Sequence, residues 1–184
     1  PLSIDTVDTR TIREARPQVN LSEALNAVPG VVVQNRWNYA QDLQISSRGF
    51  GARSAFGVRG LRLIADGIPA TMPDGQGQTG SFQLLATQRI EVLRGPFSTL
   101  YGNAAGGVIS VFSESGSGPD TVSATAVGGS FDTWNAGIKV SGASGAFGYI
   151  AALNRFTTDG FRDHSAAERT LSVAKLSYDA TPRT

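Results

Sequence analysis

The sequence predicts a small α+β unit followed by antiparallel strands of the transmembrane β-barrel type. Three observations lead there. Up to residue 112, one short segment of helical period is set among brief apolar runs bounded by turn residues. A Ser-Gly run at 113–118 then interrupts the pattern. Beyond Pro119 the period becomes two, in segments of about ten residues with apolar side chains on one face and polar ones on the other. A strand with lipid outside and a wet lumen inside needs this alternation.

Composition narrows the function classes. At 184 residues the chain can hold one large domain, or one domain and part of another. Charged residues make up 17% and glycines number 22, unlike a disordered acidic tail or an ordinary helical enzyme. Without cysteine there is no disulfide framework and no thiolate metal site. A formal charge of +1 predicts no general attraction to nucleic acid or to an anionic surface. Residues 1–115 carry ten arginines and no lysine, against nine acidic residues. The planar guanidinium suits interfacial pairing with carboxylates, although the habit of a GC-rich genome accounts for the bias equally well. No segment reads as a signal peptide or reaches the roughly 18 apolar residues of a membrane helix. The chain begins inside an apparent strand, as expected of a processed or excised piece of something longer.

Taken in order, residues 1–8 alternate as an edge strand with Leu2, Ile4 and Val7 apolar, and a polar, Arg-rich segment follows. Asn20 is placed to cap a helix, with Glu23 reaching back to its backbone N–H in a capping box. Leu21, Ala24, Leu25 and Val28 share one helical face, and Pro29-Gly30 ends it. Residues 31–34 start a strand. Residues 61–65 form another, Asp66-Gly67 makes a tight turn, and Ile68-Pro69 leaves it as a short edge. Residues 72–78 are loop. Strands at 90–93 and 108–112 complete the unit, placing the domain boundary between 115 and 116. Four strands follow, at about 120–130, 132–142, 146–157 and 169–180. The connection at 143–145 is short and that at 159–169 long and polar, matching the turns and loops of such a barrel. A soluble antiparallel sandwich is the competing reading of this pattern. Trp134 and Tyr178 read as interfacial girdle residues, or else as ordinary core.

Four motifs carry a more specific signal. They are Leu21-Ser22-Glu23-Ala24-Leu25-Asn26-Ala27-Val28-Pro29-Gly30-Val31, then Ile45-Ser46-Ser47-Arg48-Gly49-Phe50, then Leu63-Ile64-Ala65-Asp66-Gly67-Ile68-Pro69. The fourth is the run from Ile90 through Arg94-Gly95-Pro96 and Tyr101-Gly102 to Gly106-Gly107 and Val111. In this order they closely resemble the plug domain of TonB-dependent outer-membrane receptors. The resemblance implies a plug at 1–115 and, at 116–184, the first two hairpins of a roughly 22-stranded barrel. Four strands cannot close, and an open edge in lipid leaves backbone groups unpaired, so such a piece does not function alone.

The family imports scarce nutrients across an outer membrane that lacks ATP: ferric siderophores most often, otherwise cobalamin, haem, other metal chelates or saccharides. The implied partners are TonB, with ExbB and ExbD, engaged by strand addition through a segment upstream of Pro1. Outer-membrane lipid and the small ligand complete the list, with no nucleic acid and no resident cofactor or metal.

By the same resemblance, Arg48 and Arg94 match the arginines that lock the plug against two barrel glutamates, which lie in strands this chain lacks. Arg59, in a similar Arg-Gly context, rivals Arg48. Ligand contacts are expected from the apical loops, with Tyr101 foremost, then Arg53, Phe56, Asp74, Gln76 and Asn103. Arg53 suits an anionic chelate, whereas Asp74 does not unless an arginine pairs with it. Tyr101 and Phe56 serve equally well as packing against the barrel wall. Gly49, Gly95, Gly102, Gly106 and Gly107 read as structural, permitting positive φ or close backbone approach.

Catalysis finds little support. The single histidine, His164, lies in a polar loop, so neither a Ser-His-Asp triad nor a His/Cys metal site can be built. Asp66 is explained by its turn and Glu91 by strand alternation. The Gly95–Gly102 stretch lacks the lysine and hydroxyl of a P-loop. A passive outer-membrane binding or adhesion protein remains a third class, separable from a transporter by its independence of TonB.

Overall fold

The computed structural model describes residues 3–14, 16–39, 41–55, 57–95, 98–102 and 104–180, with the side chains of Ser98 and Thr99 also left aside. The chain divides into two compact units, one ending at Ser113 and the other beginning at Glu114.

The first unit is built on a five-stranded mixed sheet. Its strands are β1 (Ser3–Asp8), β4 (Arg62–Ala65), β5 (Ile68–Pro69), β6 (Thr87–Arg94) and β7 (Val108–Ser113), in the spatial order β1-β6-β7-β4-β5. All neighbours are antiparallel except β4 and β7. The central strand β7 is buried at four successive positions from Val108 to Val111, which explains its continuous apolar run. A separate hairpin joins β2 (Val31–Gln34) to β3 (Gln44–Ser47). Ile12, Leu21, Leu25, Ile45, Leu63, Ile90 and Ile109 meet in one core with no appreciable exposure. At the far edge Asp66, with φ of +48°, accepts bonds from the Ser113 N–H at 2.8 Å and hydroxyl at 2.5 Å. The turn between β4 and β5 thereby grips the end of β7.

Helices are short. The Arg-rich segment after β1 contains α1 (Thr9–Arg13), begun by Asp8, whose carboxylate accepts from the Thr11 N–H at 2.8 Å. That bond and its hydroxyl partner hold the Asp8 carboxyl below its ordinary value. Helix α2 (Ser22–Leu25) is a single turn, preceded by Leu21 rather than Asn20. Asn20 still accepts from the Ser22 N–H at 3.0 Å. The Glu23 carboxylate accepts not one backbone N–H but three: Gln18 at 2.6 Å, Val19 at 2.8 Å and Asn20 at 3.1 Å. Gln18 sits at φ +58°, which curls the chain around the carboxylate.

Glu23→Ala should therefore cost about 2–4 kcal/mol, because three part-buried donors lose their acceptor. The midpoint of a urea titration reads this directly. Burial pushes the Glu23 carboxyl above its ordinary 4.5, outweighing the pull of the three amides. The folded state thus holds this proton more tightly than the unfolded one. The stability linked to this proton is present below 4.5 and is lost as pH rises through the folded value. The variant should lose that pH dependence.

The second unit is a four-stranded antiparallel sheet of β8 (Thr121–Gly129), β9 (Thr133–Ser144), β10 (Phe147–Thr158) and β11 (Ala167–Tyr178), ordered β11-β10-β9-β8. Registers run unbroken, from Phe147↔Tyr178 to Thr158↔Ala167 and from Phe147↔Ser144 to Thr157↔Trp134. Val122, Ile138, Leu153 and Leu176 on one face are 69, 47, 50 and 85% exposed. Asn135, Lys139 and Asn154 on the other are buried, alongside Ile150 and Phe156. Apolar side chains outside and polar ones inside reverse the arrangement of a sheet with one watered face. Phe147 and Tyr178 pair at 4.8 Å between ring centroids at the turn end, and Trp134 stands at the opposite end of β9.

Candidate functional site

Strand direction gathers the predicted apical loops. Arg62 pairs with Val108, Leu93 with Val108, and Ser3 with Arg94, while β5 runs back beside β4 toward the same end. Loops 48–61, 70–80 and 95–107 consequently leave the sheet at one end. They are tied to one another through backbone. Val58 and Gly77 exchange two bonds of 2.7 Å, Gly106 N–H donates to the Gly60 carbonyl at 2.8 Å, and Arg62 N–H donates to the Gly107 carbonyl at 3.0 Å. At Gly106 a Cβ would come within 2.6 Å of the Phe50 Cβ and 2.9 Å of the Gly60 oxygen, so the loops approach more closely than any side chain permits. Gly107, at φ +124°, would put a Cβ 2.2 Å from the Leu93 oxygen.

On this platform Arg59 donates to Asp74 at 3.2 Å and to the Gln76 side-chain oxygen at 3.1 Å, and Asp74 accepts from the Gln76 N–H at 3.0 Å. The condition placed on Asp74 is met: an arginine pairs with it. Arg59, the rival for the first lock position, makes this pair with both side chains about half exposed. Arg53 is exposed. Tyr101, on the short helix α3 (Ser98–Tyr101), is half-buried and packs with Ile64 and Leu93 against Ala104 and Val108. Gly49 and Gly102 adopt positive φ with open space around them, and Gly95 lies at φ +142°. Phe56 and Asn103 lie outside the described residues.

Arg48 and Arg94 converge on one turn. The Arg48 backbone, at φ +51°, donates to the Gly30 carbonyl at 3.4 Å, and Arg94 donates to the Pro29 carbonyl. Arg94 is also fixed by a carboxylate that sequence reasoning did not single out. Its Nε and Nη2 reach the same Asp5 oxygen at 2.9 and 2.5 Å, and Nη2 also donates to the Ser3 hydroxyl at 3.0 Å. Only 13% of the Arg94 side chain is exposed. The signal for Asp5 lay in the strand alternation of residues 1–8, which could show its face and not its partner.

Among the described residues no group of three or more His, Cys, Asp or Glu side chains could hold a metal. The described side chains of these loops offer hydrogen-bonding and cationic groups on a rim tied together through backbone.

The TonB-dependent Receptor Plug Domain family matches residues 1–108. The chain belongs to this family, and the fold is that of its plug followed by antiparallel strands that do not close a barrel. Among curated relatives, Vitamin B12 transporter BtuB of Photobacterium profundum is 30% identical over 164 residues, covering 88% of this chain and 25% of the transporter. The Iron-regulated outer membrane virulence protein of Vibrio cholerae is 35% identical over 120 residues, 60% of this chain and 17% of that protein. The pyoverdine outer membrane receptor of Pseudomonas aeruginosa superposes with a TM-score of 0.78 at 21% identity, over 97% of this chain and 25% of its own. The siderophore receptor PirA of Acinetobacter baumannii gives 0.74 at 20%, over 97% and 29%. At such identity the superposition shows the fold. The chain spans a quarter or less of the curated relatives it matches.

Proposed function

We propose that this chain is the plug, residues 1–115, and the opening barrel strands, 116–184, of a TonB-dependent outer-membrane transporter for a ferric siderophore or similar metal chelate. The observation that carries the reading is the gathering of three loops at one end of the plug sheet, locked backbone to backbone and bearing Arg53, Arg59, Gln76 and Tyr101. A rigid rim of donors and one aromatic hydroxyl suits a compact, oxygen-rich ligand. The Arg59–Asp74 pair leaves Arg53 as the cation with most to offer an anionic chelate.

In this reading the plug fills the barrel lumen and the exposed apolar face of β8–β11 meets lipid. TonB, with ExbB and ExbD, supplies the work through a segment upstream of Pro1. Arg48 and Arg94, both seated on the Pro29-Gly30 turn, lock the plug to the barrel. A second reading, cobalamin uptake, is favoured by the likeness to the vitamin B12 transporter across most of the chain.

The test is radiolabelled uptake by cells expressing the full-length receptor, offered ferric siderophores and cyanocobalamin in parallel. Uptake of one class that vanishes when TonB is deleted is the expected result, and the class identifies the cargo. Uptake that persists without TonB would replace active transport by a passive binding or adhesion role.

A further inference from the structure

The segment that follows the plug is bonded to β9 and β10 at Glu114, Gly118 and Asp120. Glu114 pairs with Lys139 of β9 at 2.5 Å, and their side chains are 19 and 9% exposed. The Ala143 N–H donates to the Gly118 carbonyl at 3.0 Å, and the Tyr149 hydroxyl donates to Asp120 at 2.7 Å. Between these points Gly116 passes directly over β9 and β10, beside Gly142 and Gly148 of those strands. A Cβ on Gly116 would lie 2.0 Å from the Tyr149 nitrogen and 2.5 Å from the Gly142 oxygen. One on Gly148 would lie 2.3 Å from the Gly116 oxygen, and one on Gly142 would lie 2.2 Å from the Asp120 carboxylate. Backbone rests directly on backbone over these strands.

An ordinary tether of Ser and Gly is slack, and would let the domain before it drift. This one has the composition of a slack linker and the contacts of a packed element.

We infer that residues 114–120 form a fixed strap that stays fastened to β9 and β10 while cargo passes. The inference rests on the transport reading above. It goes further by assigning the opening motion to plug elements upstream of Ser113. A low-dielectric ion pair that persists through the cycle is economical, since separating it would expose two desolvated charges. Lys139 and Glu114 act here as positioning residues.

The test uses the full-length receptor with E114C and K139C introduced together. Equal TonB-dependent uptake with the disulfide formed and with it reduced is the expected result. Uptake lost on oxidation and regained with reductant would overturn the strap, because the fastening would then have to open. If the double variant assembles poorly, S117C in the otherwise native receptor carries a nitroxide instead. Its spectrum should be unchanged when a soluble TonB fragment and a ferric siderophore or cyanocobalamin are added, and mobilisation on their addition would overturn the inference. A parent receptor that takes up nothing by a TonB-dependent route would sink the transport reading alone, since the label is read without transport.

Discussion

Gly107→Ala should destabilise the N-terminal unit by about 4 kcal/mol or more. Two costs add. The residue sits at φ +124°, where an L side chain is strained by about 1–3 kcal/mol. The new Cβ would also stand 2.2 Å from the Leu93 carbonyl oxygen and 3.3 Å from its carbon, both backbone atoms of β6. Neither can swing aside as a flexible side chain would. Gly107 donates to Ala104 at 3.1 Å and accepts from Arg62 at 3.0 Å, so it cannot retreat without unfastening β4. Gly102→Ala is the control. It too has positive φ, at +71°, but nothing lies within 4 Å, so only the backbone term of about 1 kcal/mol remains. Urea midpoints of the two full-length variants against the parent make the comparison. Equal midpoints would show that the β6–β7 loop has slack the geometry does not contain.

Much of this architecture was legible in the residue order, for reasons that differ by element. Strands β8–β11 were readable to within a few residues at each end because alternation over nine to twelve residues repeats the same signal many times. The Asp66-Gly67 turn and its short edge were readable because a positive-φ turn has few sequence solutions. Helix α1 was not readable. Five residues give no period, and its formation depends on a cap from Asp8 and on Ile12 reaching the core. The stretch around Tyr101 reads as an apical loop and contains helix α3, again one turn long. Glu23 was found through its capping box, yet two of its three bonds depend on the backbone of Gln18 and Val19 bending inward, which no spacing rule encodes. At the candidate site the loops could be named from glycine and aromatic motifs, while their partners could not. Arg59 and Asp74 are fifteen residues apart and Arg94 and Asp5 eighty-nine, separations at which pairing is decided by strand order alone.

Arg94→Ala should cost about 3 kcal/mol, because it removes the cation from a pair with little solvent access, leaving the Asp5 carboxylate without its charged partner and the Pro29 carbonyl without the Arg94 donor. The first residues of β1 would lose their tie to the end of β6 and to the turn that closes α2. Asp5→Asn tests how far this internal role accounts for the arginine. An amide keeps one acceptor for Arg94 while removing the charge, so it should cost less than Arg94→Ala. It should also leave Arg94 able to meet a barrel glutamate. Two readouts on the full-length receptor then separate the roles. If Arg94 only staples β1 to β6, both variants lower the unfolding midpoint and neither raises leakage of small solutes through the barrel. If it also locks the plug, as proposed, Arg94→Ala alone raises leakage, and Asp5→Asn does not. A double variant that leaks no more than the parent would assign Arg94 wholly to the interior of the plug and leave the lock to other residues.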